Sequence, residues 1–380
     1  MSQPPAGRLD RLRVPLVLVV VLAVLVYVLA PAVQALLILD DLFPLGPHPL
    51  DVAAAPTVRA VAGMQADLYV PAGAGRHPGL LIVNGAVYQG RHYGPLEGAA
   101  RAFARAGYTV MVPELGRLRQ YIVGPEIVSD AVRAIELLRR QPEVRPGRVG
   151  VYGFSVGGSF ALLAAEDPRV SGSIAFLGDI AGYYRLADIV QAVTTNTVAG
   201  SGRSISLDRV VALTLASSLI ARLPAGADQT LLQRALNRTA SSSRPLDGLA
   251  KIDAGKLSAA DRPVLELLQN HDPARVTALL RSQPAEMAPL LALSPAERLN
   301  QVRAPVFVLH DVDDPYVPVE ESRQLAADPR LHGRVQLSIT TILRHTEFDL
   351  SKLTLGTLAG TYIPNLHLLE RFIAETLSDD

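Results

Sequence analysis

The chain has 380 residues, 49% of them hydrophobic, which is enough for one large α/β domain with an insertion, or for two domains. The 36 basic and 36 acidic side chains cancel, and no basic stripe appears, so nucleic acid is not an expected partner. There is no cysteine, which excludes disulfides, a thiol nucleophile and thiolate metal sites.

Arg8, Arg11 and Arg13 precede an uncharged run from Val14 to Leu39, and Asp40 and Asp41 follow it. As a helix this run would reach roughly 39 Å, longer than a hydrocarbon core of roughly 30 Å. Val14 to Val28 is apolar all round, unlike a surface helix. Residues 1–40 therefore read as a membrane anchor that spans the bilayer through residues 14–39. The arginines place the N-terminus in the cytoplasm and the remainder on the extracytoplasmic side. A cleaved signal peptide, and so a secreted protein, is the alternative, although the run is long for one and Ala30-Pro31-Ala32 is a poor cleavage site. Pro44, Pro47, Pro49 and Pro56 mark residues 41–57 as a linker.

Strands and helices then alternate. Val58 to Val70 reads as one or two strands, and Leu80 to Val83 as a strand buried on both faces. Tyr93 to Ala106 reads as a helix, Tyr108 to Val112 as a strand, and Pro125 to Arg140 as a helix with an apolar stripe. Val149 to Tyr152 and Val170 to Leu177 follow as strands. This alternation predicts a mainly parallel sheet covered by helices, with ligands at the carboxyl ends of the strands.

The most informative stretch is Gly153-Phe154-Ser155-Val156-Gly157-Gly158. It lies between a β-branched strand and a helix, the context in which G-x-S-x-G becomes a nucleophile elbow. Ser155 is the candidate nucleophile. Val156, at the helix start, offers one N–H to an oxyanion. A second donor is expected from the loop Asn84-Gly85-Ala86, with the Ala86 N–H as the best candidate.

Residues 181–301 break the alternation and read as mostly helical: Val210 to Ala221, Asp228 to Arg238, a helix capped by Ser258, one opened by Asp272-Pro273, and a capping box Ser294-Pro295-Ala296-Glu297 opening a helix to Val302. Such a length is too great for a crossover and suggests a cap over the active site. The core then resumes, so the domain divides into 58–180 and 302–380 around the cap. Val306 to Leu309 is a strand, followed by His310-Asp311-Val312-Asp313-Asp314-Pro315-Tyr316-Val317-Pro318. Asp314 is the candidate triad acid, Asp313 the spare and Asp311 a turn residue; Asp179 is the alternative from an earlier strand. Val335 to Leu343 reads as the last strand and places His345 in the loop after it, as the base. His310, His332 and His367 are expected to be incidental. The order Ser155, Asp314, His345 is the nucleophile–acid–base order of this hydrolase type. Pro364 to Leu377 closes the fold as a helix.

The elbow and the His310–Pro318 segment resemble the α/β-hydrolase superfamily, nearest to its dienelactone-hydrolase-like and prolyl-oligopeptidase-like branches, over about 58–180 and 302–378. Relatives often read His-Gly-x-x-Asp-x-x-Val-Pro in the second motif, which aligns the acid with Asp314. They often have His-Gly where this chain has Asn84-Gly85, and a glycine in place of Asp311. The resemblance implies an α/β-hydrolase fold and a Ser-His-Asp hydrolase that needs no cofactor or metal. The expected substrate is a small-molecule or lipid carboxylic ester. The alternatives are an acyltransferase or thioesterase with the same triad, and a non-catalytic membrane protein.

Overall fold

Helix α1, over residues 33–42, opens the described part of the chain; in this computed structural model the described residues are 33–42, 55–282, 285 and 287–378. Residues 14–32 of the expected membrane span lie outside that set. Its last residues do not continue as a free anchor. They form α1, which docks on the domain through Ala35, Ile38 and Leu39, all buried. Burying Ile38 and Leu39 is worth roughly 1.5–3 kcal/mol each. Gln34 Nε2 donates to Ala106 O at 2.9 Å, and Arg105 pairs with Asp41 at 2.6 Å. The boundary expected between anchor and linker at residue 40 therefore falls inside a docked helix. Among the described residues, no helix is long and apolar enough to cross a membrane.

The chain then runs β1 (Thr57–Ala60), β2 (Ala66–Val70), β3 (Gly79–Val83), α2 (Gly94–Arg105), β4 (Thr109–Pro113), α3 (Pro125–Arg139), β5 (Val149–Phe154), α4 (Val156–Ala165) and β6 (Ile174–Ile180). Helices α5 (Leu186–Thr195), α6 (Arg209–Ile220), α7 (Ala227–Thr239), α8 (Arg262–Gln269), α9 (Pro273–Arg281) and α10 (Ala288–Leu291) follow. The chain returns through β7 (Val306–Asp311), α11 (Val319–Ala326) and β8 (Val335–Thr340), then a small hairpin of β9 (Leu343–Arg344) and β10 (Glu347–Phe348). It ends in α12 (Leu355–Thr357) and α13 (Ile363–Ser378).

The main sheet has eight strands in the order β1-β2-β4-β3-β5-β6-β7-β8. Strand β2 pairs antiparallel with both neighbours, and every pairing from β4 to β8 is parallel. This topology, with a serine at the sharp turn from β5 into α4, is the α/β-hydrolase fold. Alternation along each strand sends its side chains to opposite faces. Leu81 and Val83 of β3, with Val306 and Val308 of β7, join α3 and α4 in one apolar cluster; Leu80 and Ile82, with Phe307 and Leu309, join α1, α2 and α13 in another. Leu215 and Leu219 of α6 and Leu232 of α7 belong to the first cluster, so the inserted helices share the core beside α3 and α4.

Several expected boundaries shift. Strand β6 starts at Ile174, because Ser171–Ser173 form a 3-10 turn. Ser294 and Glu297 do not open a helix to Val302. Only a 3-10 turn, Pro295–Glu297, forms, and the Ser294 hydroxyl instead accepts the Leu186 N–H and donates to Leu291 O. Ser258 accepts the Asp261 N–H and so makes a turn ahead of α8. Asp208 caps α6 through the Val210 N–H, and Asp272 caps α9 through the Ala274 N–H. The segment expected as one last strand, Val335 to Leu343, is divided: β8 ends at Thr340, and the chain turns into the β9–β10 hairpin.

Candidate active site

Strand β5 delivers Ser155 to the end of the sheet with φ 56° and ψ −134°, a conformation an L-residue rarely adopts. Such backbone strain costs on the order of 1–3 kcal/mol. The surroundings hold it: the Ser155 N–H donates to Ile180 O at 2.8 Å, and Ser155 O accepts the Gly158 N–H at 2.9 Å. The glycines are required by space. A Cβ at Gly153 would stand 2.4 Å from Gly157 O, and one at Gly157 would stand 2.3 Å from Val83 O. Val156 is the first residue of α4, so its N–H has no intrahelical acceptor. The 84–86 loop crosses directly over the serine, since a Cβ at Gly85 would lie 3.0 Å from Ser155 Cβ. Arg91 braces the continuation of this loop through Asp67 at 3.0 Å and Glu114 at 3.5 Å.

Asp314 and His345 meet across the ends of β7 and β9. His345 Nδ1 and Asp314 Oδ2 are 2.7 Å apart, and both side chains are buried. The other carboxylate oxygen, Oδ1, accepts the N–H groups of Tyr316 at 2.7 Å and Val317 at 3.0 Å. Burial alone would raise the Asp314 pKa, but His345 and His310 outweigh it and hold the carboxyl well below the usual range. An ionised Asp314 accepts from Nδ1–H and thereby leaves Nε2 of neutral His345 as the basic nitrogen. His345 is held at φ 67° in the turn of the β9–β10 hairpin, and the Tyr316 ring stacks on its imidazole at 4.5 Å.

The remaining acids are placed apart from His345. Asp313 is exposed and pairs with Lys352 at 3.4 Å. Asp179 is buried below the elbow, accepts the Gly182 N–H, and is pushed up by burial to about 7. Asp311 does make the expected turn, accepting the Asp313 N–H. It is also fully buried, and its Oδ2 accepts the Leu343 N–H at 2.9 Å, which ties the acid loop to the histidine hairpin.

His310 is not incidental, which corrects the expectation for it. It is fully buried, with Nε2 2.9 Å from Val317 O and 3.3 Å from Asp314 Oδ2, and Nδ1 2.6 Å from Ser322 Oγ. Because Val317 O can only accept, Nε2 carries the proton, and His310 gives Asp314 a further donor. The i,i+4 spacing from His310 to Asp314 within one motif was the available signal. Tyr316 offered none, because its stacking depends on where the later hairpin returns.

Ser155, His345, Val156, Ala86 and Tyr316 all line one cavity of about 1000 Å³. Its wall is predominantly apolar. Among the described residues no cluster of three or more His, Asp or Glu could hold a metal ion.

The sequence model of the X-Pro dipeptidyl-peptidase (S15) family matches residues 62–339, more than half of the chain. The chain belongs to that family. The motifs alone had pointed to neighbouring branches of the same superfamily. The chain is also 28% identical over 123 residues to a probable 2-oxo-3-(5-oxofuran-2-ylidene)propanoate lactonase of a Bradyrhizobium species, a match covering 28% of this chain and 48% of that protein. The chain thus spans about half the length of the curated relative it matches. Similar solved structures include a puromycin-hydrolysing peptidase of Mycobacterium tuberculosis, with a TM-score of 0.48, 16% identity, and coverage of 88% of this chain and 41% of that one. An esterase of Pyrococcus furiosus has a TM-score of 0.43 at 14% identity, covering 85% and 91% respectively.

Proposed function

We propose that this S15-family chain is a serine hydrolase that cleaves carboxylic esters through an acyl-enzyme. The observation that carries this reading is the buried Asp314–His345 hydrogen bond on the wall of an apolar cavity that also contains the strained Ser155. His345 Nε2, buried and making no hydrogen bond among the described residues, not even to Ser155 Oγ, is the base we assign to the Ser155 proton as Oγ attacks the acyl carbon. The N–H groups of Val156 and Ala86 receive the oxyanion, and Asp314 stabilises the imidazolium. The imidazolium gives its proton to the departing alkoxide as the carbon–oxygen bond breaks. Water, deprotonated by His345, then releases the acid and restores Ser155.

The family favours a second reading, a peptidase that releases X-Pro dipeptides from the N-terminus of a peptide. The wall speaks for esters instead, because it is predominantly apolar and its acids are few: Asp41 pairs with Arg105, Glu347 accepts from the Tyr93 hydroxyl, and Asp349 accepts from the Ser351 hydroxyl. A peptidase of that kind has a charged terminal amine to bind. With an alcohol in place of water, the same groups would make an acyltransferase. The helices between β6 and β7 act here as a cap. The apolar run from Val14 leads at residue 33 into α1, so we further read the protein as held to a membrane by its N-terminus, with the domain on the extracytoplasmic side.

The test is hydrolysis of p-nitrophenyl esters and of X-Pro p-nitroanilides by the full chain in detergent, beside Ser155→Ala. The variant should lose at least about 10³-fold in kcat and all labelling of the serine by a fluorophosphonate probe. Ester turnover that survives in Ser155→Ala would overturn the nucleophile assignment. Cleavage of the anilides alone would replace the esterase with the peptidase.

A further inference from the structure

The cavity does not end at the catalytic groups. Its lining draws on both apolar clusters, one from each face of the sheet. On the cap side stand Leu186 and Ile189 of α5, Val211 and Leu215 of α6, and Leu290 of α10. On the opposite side stand Leu39 of α1, Leu96 and Ala99 of α2, and Phe372 and Ile373 of α13. Ser155, just past the carboxyl end of β5 in the middle of the sheet, and His345 line the same cavity. A volume of about 1000 Å³ lies at the upper end of the usual range for a ligand site, more than a short acyl group fills. Charge is confined to a few side chains that are satisfied or exposed: Asp41 pairs with Arg105, Asp349 accepts from Ser351, Glu347 accepts from Tyr93, and Arg344 lies at the surface.

We propose that the cavity has two apolar arms meeting at Ser155, and that the substrate is an ester with an apolar chain on each side of its scissile bond. One chain lies under the cap helices. The other lies in the arm walled by α1, α2 and α13. This rests on the hydrolase reading and adds the substrate class to it. A substrate with one polar side would leave one arm wetted and unmatched. With two apolar chains, each added methylene that enters an arm gains roughly fourfold in binding, since its burial is worth about 0.8 kcal/mol.

The test uses the full chain and two ester series, one lengthening the acyl chain over a fixed ethyl alcohol and one lengthening the alcohol over a fixed acetate, with release of acid as the readout. In the wild type kcat/KM should rise along both. Val211→Phe fills the cap arm and Ala99→Leu the other. Each should cut the long-to-short ratio about fifteenfold, roughly two methylenes' worth, in one series only, and the two variants should affect different series. Leu39→Ala, which widens the second arm, should extend the chain accepted in the series that Val211→Phe leaves unchanged; this keeps the test decisive if Ala99→Leu fails to fold. A rise along one series alone, or both fillings acting on the same series, would sink the two-arm proposal while fluorophosphonate labelling of Ser155 left the hydrolase reading standing. No labelling and no ester cleaved would remove the hydrolase reading and this proposal with it.

Discussion

Asp314 is held through both carboxylate oxygens, and every donor it meets favours its charged form. Converting it to the amide keeps the shape but offers His345 an N–H where it needs an acceptor, which selects the wrong tautomer. Asp314→Asn should therefore lower kcat by about 10⁴, with the cavity and fold retained. Asp313→Asn, one residue away but with an exposed carboxylate that pairs with Lys352, should stay within about twofold of the wild type. Steady-state kinetics of the two variants check this, and equal losses would reassign the acid. At this scale the sequence could be read where a motif fixes a residue's place on a strand end, as for Ser155 and Asp314. It could not be read where the role depends on a distant return of the chain. The tie of Asp311 to Leu343 and the stack of Tyr316 on His345 both depend on the β9–β10 hairpin, whose two-residue strands are too short to leave a periodic pattern.

The elbow is an element whose sequence and geometry agree, because packing leaves only glycine possible at its two crossings. At Gly157 an added methyl would lie 2.3 Å from Val83 O and 2.6 Å from Asn84 O, both backbone atoms of the neighbouring strand and its loop. No side-chain rotation can relieve such a contact. Gly157→Ala should cost about 3 kcal/mol or more of stability and displace the 84–86 loop. Urea denaturation measures the first, and an unchanged midpoint would refute the close approach. The long, strongly patterned elements were legible for a related reason: a buried parallel strand needs an unbroken apolar run, and α2 and α3 show a stripe that only a sheet face can cover. The antiparallel position of β2 beside β4 was not, since the order of strands is set by crossover geometry and not by composition.

Over the whole molecule, one buried acid links the start of the inserted helices to the sheet domain. Glu321 of α11 accepts the N–H groups of Tyr184 and Arg185, and burial pushes its pKa up to about 8 against the opposing pull of those donors. The folded chain thus keeps a proton there that the unfolded chain releases near pH 4.5. Protonation favours the fold below that window, and the contribution is lost as pH rises from about 4.5 to about 8. Tm should fall across that interval, and Glu321→Gln, which stays neutral and still accepts, should flatten the slope. Parallel Tm–pH curves for the two proteins would contradict this.

Helix α1 has a consequence of a different kind. Its residues end an apolar run that reads as a membrane anchor, with a cleaved signal peptide as the alternative, yet Leu39, Asp41 and Leu42 line the cavity in which Ser155 stands. Any processing step, natural or deliberate, that trims the chain just after residue 42 would leave Ser155, Asp314 and His345 in place and remove the α1 part of the chamber wall. The trimmed and untrimmed forms would then be two enzymes of differing selectivity encoded by one sequence, and a substrate preference measured on the shorter form would describe the shorter form alone.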